Sequence, residues 1–397
     1  MSLRLIVSAL PGETRAAWLE DERLTELHIL RDDKPSVADN LYLGRVLALD
    51  KGLKAAFVEI GLDRPGLLPL DKAPKGLSEG DAVILRVTRE PAADKGARVT
   101  ARVRDLPEEV SAVADRARPP VLLRAAEDPI RQSLLGAAPP EEIVTDDPAR
   151  FAQMKAWLAG RPELRERLRL DLDPLPLFER EGVEAGIDAL LEPAVPLPSG
   201  AFLLIEPVRS MTAIDVNSGR HDGRGGPVAK ALAVNLEAAA EIPRQLRLRN
   251  LSGLIVIDFL DLADGVKRKR VVQALKDGLK DDPRPSRVQA MRTSGLVEMT
   301  RRRAGPALHE ILTLPCGIGG GGRVKDPATL AFEALRAVRR AAARTPGGRL
   351  VLTSSPEVAA ALQGPAAEAR SAVEERLGRP INLHAVEGHP GFEIVLE

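Results

Sequence analysis

The stretch 212-TAIDVNSGRHDGRGG-226, read with its counterpart 253-GLIVIDFLDL-262, decides how this chain folds. Side chains alternate faces along a strand, so Asp215 and Asn217 are expected on one face while Ile214 and Val216 enter the core. The second run is apolar from Leu254 to Ile257 and ends at Asp258, which predicts a strand covered on both faces. Between the two lies 229-AKALAVNLEAAAEIPRQLRLRN-250, long enough and rich enough in helix formers for the crossover of a parallel β-α-β unit. Open α/β sheets bind ligands beyond the carboxyl ends of their strands, so Asp215 and Asp258 are expected to meet there.

Two carboxylates with a neutral oxygen donor suit a hard divalent ion, Mg²⁺ or Mn²⁺ as its substitute. Such an ion activates water and offsets charge on a phosphodiester. An aspartate at a strand end is also a common turn former or helix cap, so the pair carries the reading rather than either residue. The loop after Asn217 adds Arg220 and Arg224, with Lys230 just beyond, as candidate grips on a nucleic-acid backbone.

The bulk composition narrows the setting. A chain of 397 residues with 44% hydrophobic content supports two to four globular domains. Its 57 basic and 57 acidic residues cancel, so nucleic-acid binding has to arise from local patches. Cys316 stands alone, which excludes an intramolecular disulfide and fits a reducing compartment. No apolar run approaches the ~20 residues of a membrane span, so no membrane partner and a cytoplasmic location are expected. With 3% aromatics, few bases can be stacked, and Trp18 and Trp157 read as core residues. The five histidines show no metal-ligand spacing.

Along the chain, residues 3–32 read as strands broken at Pro11-Gly12 and at Asp21. Short β-type segments follow at 41–49, 54–61, 66–70 and 82–90, the pattern of a small barrel, and the OB fold is the barrel that commonly holds single-stranded RNA. Helical spacing recurs over 107–117 and 147–158. A sheet region runs from about 196 to 315 and carries the cluster Arg301, Arg302 and Arg303. Lys267 to Arg270 read as a solvated helix face. The glycine run 317–322 reads as a linker, and 326–397 as a small α/β appendage.

TAIDVNSGR, the NLEAA of Asn235 to Ala239, RQLRLRNLSGLIVIDFLDL from Arg244 and GLVEMTRRR from Gly295 resemble the catalytic core of the ribonuclease E/G family. NLYLGRV, KAAFVEIGLDRPGLLPL and REP followed by KGARVT resemble its embedded S-one type OB domain. The resemblance implies an α/β multidomain chain and a Mg²⁺-dependent endoribonuclease acting on single-stranded RNA. In this scheme residues 1–38 and 105–195 form an RNase H-like region, 39–104 an inserted OB-fold barrel and 196–315 a DNase-I-like catalytic subdomain. Residues 316–325 form a glycine linker and 326–397 a small C-terminal α/β domain. Asp215 and Asp258 would hold the metal, and Asn217 would orient the scissile phosphate or a metal-bound water. Phe57 and Lys95 would contact RNA on the barrel, and Arg301 and Arg303 would do so beside the catalytic crevice.

The departures from the family pattern carry expectations of their own. A second barrel position, usually aromatic, is Leu67, which removes one stacking contact. Pro243 falls within the crossover helix and is expected to kink it. The family's C-P-x-C zinc-link is reduced to Cys316 followed by glycines, so neither zinc nor a zinc-linked dimer is expected. The segment from Thr100 to Pro120 is too short for the family's pocket for a 5′ monophosphate, so no 5′-end sensing is expected. A non-catalytic RNA-binding or RNA-chaperone descendant of the family is the competing reading. The retained Asp215, Asn217 and Asp258 weigh against it.

Overall fold

The computed structural model describes residues 2–91, 95–103, 106–136, 138–208, 210–219, 226–303, 305–316, 322–345 and 347–397. The chain opens with a meander of β1 (Leu3–Leu10), β2 (Glu13–Glu20) and β3 (Arg23–Arg31). Its turns fall at Pro11-Gly12 and at Asp21-Glu22, where both residues take positive φ, as a two-residue hairpin turn of matching twist requires. Ile6, Ala17 and Leu19 face one core while Leu5, Val7, Ala16 and Trp18 face another, so this sheet is covered on both sides.

The barrel comes next. It is built from β4 (Leu41–Asp50), β5 (Ala55–Glu59), β6 (Gly66–Pro69), β7 (Ala82–Arg89) and β8 (Arg98–Thr100), and closes through the β4–β5 pairing. Val58, Leu68, Leu85, Val87 and Val99 fill its interior. Gly44 is required at the β4–β5 contact, since a Cβ there would come within 2.7 Å of Val58 Cγ1. After helix α1 (Glu108–Ala114), β9 (Val121–Arg124) pairs with β4, with Tyr42 opposite Leu122. Residues 121–124 therefore pair with the barrel, although the sequence division sets them in the region beginning at 105. Pairing depends on which strand edge is free, which the local pattern of 120–127 does not record.

The chain then returns to the first sheet through α2 (Pro129–Gly136), β10 (Glu142–Thr145), α3 (Pro148–Trp157), α4 (Pro162–Arg165) and β11 (Leu168–Leu170). That sheet has the order β11-β10-β1-β2-β3, with β10 parallel to β1. Helices α5 (Leu177–Arg180) and α6 (Val183–Leu191) pack on it and lead to the third sheet.

The third sheet contains β12 (Ala194–Pro196), β13 (Phe202–Pro207) and β14 (Thr212–Asn217), then α7 (Pro227–Leu248), β15 (Gly253–Asp258), α8 (Gly265–Gly278), β16 (Ser286–Val288) and β17 (Leu296–Arg301). Its order is β12-β13-β14-β15-β17-β16, and β14 and β15 run parallel across the α7 crossover. Helices α7 and α8 cover the face that carries Ile214, Val216, Ile255 and Ile257. The opposite face is open, contrary to the expectation from the apolar run: Leu254 is 42% exposed and Val256 half-buried. Helix α7 continues through Pro243, whose Cγ would lie 2.9 Å from a Cβ on Gly278 of α8, so the glycine lets the two helices approach.

Helix α9 (Leu308–Leu312) precedes a hairpin of β18 (Thr313–Pro315) and β19 (Arg323–Lys325). The hairpin brackets the glycine run read as a linker, whose residues 317–321 lie outside the described ones. The C-terminal unit comprises α10 (Pro327–Arg344), β20 (Leu350–Ser354), α11 (Pro356–Gln363), α12 (Ala367–Leu377), β21 (Ile381–Ala385) and β22 (Phe392–Leu396). It is fixed to the first sheet by charge: Arg336 and Arg339 of α10 reach Glu13 and Asp146. Among the described residues no helix is long and apolar enough to cross a membrane.

Candidate active site

Alternation along β14 buries Thr212, Ile214 and Val216 and turns Asp215 and Asn217 to the open face of the sheet. In the parallel ladder Asp215 stands opposite Asp258. The same row continues to Leu204 on β13 and Leu296 on β17, which flank the two carboxylates with apolar side chains. Asn217 Nδ2 donates to Asp215 Oδ2 at 2.7 Å, so the amide holds the orientation of the first carboxylate. Burial, the Asp215 carboxylate and Asp261 together raise the Asp258 carboxyl above the ordinary aspartate value.

Several residues without an assigned role in the sequence reading complete the arrangement. Asn235 is fully buried on α7; its Nδ2 donates to Leu260 O at 2.8 Å and its Oδ1 accepts from Leu260 N at 3.0 Å. It thereby braces the backbone two residues beyond Asp258. Gly295 has φ +80°, and a Cβ there would lie 2.1 Å from Phe259 O and 3.5 Å from Asp258 Oδ1. Gly219, at φ +54°, leaves similarly little room against Gly200 O. The signals were present: an amide on the apolar face of a helix, and single glycines beside strand ends, Gly219 just past β14 and Gly295 just before β17. Beside the pair, Ser218, Gly219, Lys230, Leu260 and Asp261 line a cleft of about 410 Å³.

The donor set fits a divalent cation that keeps most of its waters. Two exposed carboxylates share one strand-end row and raise the local demand for positive charge. No cluster of three or more His, Cys, Asp or Glu side chains able to hold a metal occurs among the described residues.

Other expected contacts are distributed differently. Arg301 is buried and inward-facing, with Nε and Nη2 on Asp282 at 2.7 and 2.9 Å and Nη1 on Leu251 O. Alternation along β17 sets it on the face of Val297 and Met299, so it is a structural ion pair and not an RNA contact. Arg303 is exposed but does not lie beside the aspartates: β17 pairs Arg301 with Gly253 at one end and Leu296 with Asp258 at the other, about 17 Å apart at the rise of a strand. On the barrel, half-buried Phe57 pairs with Leu67, and Lys95 is exposed. Arg220 and Arg224 lie outside the described residues.

With the geometry in hand, comparison with known proteins is decisive. The model of the "Ribonuclease E/G family" matches residues 70–304, more than half of the chain, including both aspartates and the last two barrel strands, β7 and β8. The chain belongs to the ribonuclease E/G family. Ribonuclease G of Haemophilus influenzae is 28% identical, with 90% of this chain and 91% of that protein aligned. Ribonuclease G of Escherichia coli K12 is 27% identical over the whole of both chains. Ribonuclease E of the same strain is 27% identical, the alignment covering 86% of this chain and 41% of that longer protein. Within this ribonuclease E/G chain, the matched span runs from the closing strands of the barrel to the end of the open-faced sheet.

Proposed function

We propose that this chain, an endoribonuclease by family, hydrolyses phosphodiester bonds in single-stranded RNA at the open-face row of Asp215 and Asp258. The observation that carries the reading is the register pairing of these two carboxylates on parallel strands. They are the residues that would hold Mg²⁺, which supplies Lewis-acid stabilisation of the phosphoryl oxygens and lowers the pKa of bound water. The protein contributes positioning. Asn217 fixes Asp215, Asn235 fixes the backbone after Asp258, and Leu204 and Leu296 keep the row in an apolar setting. Phe57 supplies a stacking surface on the barrel, and Lys95, Arg220, Arg224 and Lys230 supply positive charge for the RNA backbone.

The first and β10-containing sheet serves in this reading as the RNase H-like region, the barrel as an OB-fold clamp and the third sheet as the DNase-I-like catalytic subdomain. The enzyme works in the cytoplasm, without zinc and without a zinc-linked dimer. It is also blind to the RNA 5′ end. The alignment with Escherichia coli ribonuclease G spans 489 positions for a chain of 397, which supports segments present in that relative and absent here. Between Thr100 and Pro120 the described residues form only the helix α1 and its flanks.

The test incubates the purified chain with one unstructured RNA bearing a 5′ monophosphate, triphosphate or hydroxyl, or closed as a circle, with Mg²⁺ or with chelator. Cleavage is expected with Mg²⁺ alone, at rates equal within about threefold, or roughly 0.6 kcal/mol. RNA binding without any Mg²⁺-dependent cleavage would identify a binding protein instead. A tenfold preference for the monophosphate would remove the claim of 5′ blindness.

A further inference from the structure

The barrel carries an outward row that continues past the stacking position. Phe57 stands opposite Leu67, Leu67 opposite Arg98, and Arg98 opposite Arg89. Their neighbours Val58, Leu68, Val99 and Val87 face the barrel interior. By simple alternation Arg89 would share the inward face of Val87. A register shift between Val87 and Arg89 skips Thr88 and turns Arg89 outward beside Arg98. Bulges of this kind re-aim single side chains and are enriched next to functional sites.

Past the end of this row, the segments flanking the barrel and the third sheet come together. The Arg303 guanidinium lies over Gly253, where a Cβ would come within 3.2 Å of its Nη2. Two residues on, a Cβ on Gly305 would lie 4.0 Å from Ser36 Oγ, and Ser36 Oγ donates to Glu90 Oε1 at 2.5 Å, next to Arg89. The Glu90 carboxylate also accepts from Val37 N and Ala38 N, so it is engaged elsewhere. Among the described residues Arg89, Arg98 and Arg303 form no ion pair. Burial first, and then the Arg303 and Arg98 guanidiniums, disfavour the charged form of Arg89. Like charges held together with no acid between them among the described residues leave a site whose missing component is an anion.

We propose that Arg89, Arg98 and Arg303 form a phosphate-binding site for the internal backbone of single-stranded RNA at the seam of the barrel and the catalytic sheet. The proposal rests on the reading of the chain as an RNA-cleaving enzyme and extends it to a station remote from the chemistry. The strand register sets Arg303 at the far end of β15 from Asp258, so the site retains and aligns RNA without touching the reacting atoms. Guanidinium forks suit the task because they meet phosphate oxygens bidentately. Phe57 lies in the same row and would receive a base of the strand whose phosphates the arginines hold.

The experiment measures binding of an unstructured RNA oligonucleotide by fluorescence anisotropy across a salt series, in chelator and in an Asp215→Asn background so that no cleavage intervenes. Arg89→Ala and Arg98→Ala are each compared with Lys155→Ala on the exposed side of helix α3, and circular dichroism verifies folding. Each arginine variant is expected to weaken binding at least fivefold and to flatten the plot of log affinity against log salt by about 0.7 per phosphate lost. Arg98→Lys restores the slope. With Asp215 intact and Mg²⁺ present, KM rises at least fivefold for Arg98→Ala while kcat stays within twofold. RNA with a 5′ hydroxyl and RNA with a 5′ monophosphate are expected to lose affinity equally. Unchanged slopes in both alanine variants overturn the site, and a loss confined to the monophosphate RNA overturns its assignment to internal phosphates. A parent chain that binds no RNA overturns the RNA reading itself.

Discussion

Asp215 on β14 stands directly opposite Asp258 on β15, both on the uncovered face of the sheet. Residues acting as one unit respond non-additively to substitution. Asp215→Asn and Asp258→Asn are each expected to lower cleavage at saturating Mg²⁺ at least a hundredfold, and the double variant to be no slower. Retention of more than a tenth of the rate by either single variant would sink the assignment. In chelator, Asp258→Asn is expected to melt no lower than the parent chain, because it removes repulsion from Asp215 and Asp261.

Asn235 is the brace of the loop after Asp258. Replacing it with Leu leaves Leu260 N and O without their partners and costs about 1–3 kcal/mol. Activity should fall by more than the stability loss explains, since a displaced Leu260 moves Asp258. Denaturation midpoints and cleavage rates measured well below melting separate the two effects. Full activity in a destabilised variant would show that the brace serves the fold alone.

Gly295 admits no side chain. Its positive φ and the 2.1 Å approach to Phe259 O mean that Gly295→Ala has to shift backbone next to Asp258. At least a tenfold loss of kcat is expected, with RNA affinity preserved. A fully active alanine variant would show that this turn moves without disturbing the carboxylates.

Acid should loosen the junction between the first sheet and the C-terminal unit. Burial alone would push the Glu13 carboxyl up, but the Arg15 and Arg336 guanidiniums outweigh it and hold it at about 2. In the unfolded chain the same group takes a proton near 4.3. Its contribution is therefore present above about pH 4.3 and is lost as pH falls toward about 2. Glu13→Gln leaves Arg15 and Arg336 buried without their shared acid and is expected to cost about 3–5 kcal/mol at pH 7. Thermal or urea unfolding should show the gap between parent and variant narrowing by about 1.4 kcal/mol per pH unit within that window. A gap that is the same at pH 7 and pH 3 contradicts this account.

Much of this was legible in the chain itself. The period-two pattern of 212–217 put Asp215 and Asn217 on one face, and the helix-forming crossover made β14 and β15 parallel neighbours. The hairpin turns of the first sheet and the short barrel strands were marked by glycine, proline and charged turns. Such features are local, because strand alternation and turn chemistry act between residues close in sequence. Arg301 shows a local rule left unapplied: alternation with Val297 and Met299 already pointed it inward.

Other features required distant parts of the chain to be brought together. Which face of β15 is covered depended on where α7 and α8 packed, so an apolar run alone overstated its burial. The pairing of β9 with β4, the ion pair between Glu13 and Arg336, and the field of Arg303 on Arg89 of the barrel each join residues far apart in sequence. The outward turn of Arg89 rests on one skipped residue in the β7–β8 register. A side chain's type and strand face follow from its neighbours in sequence, but its burial, partner and field are set by whatever the rest of the molecule packs against it.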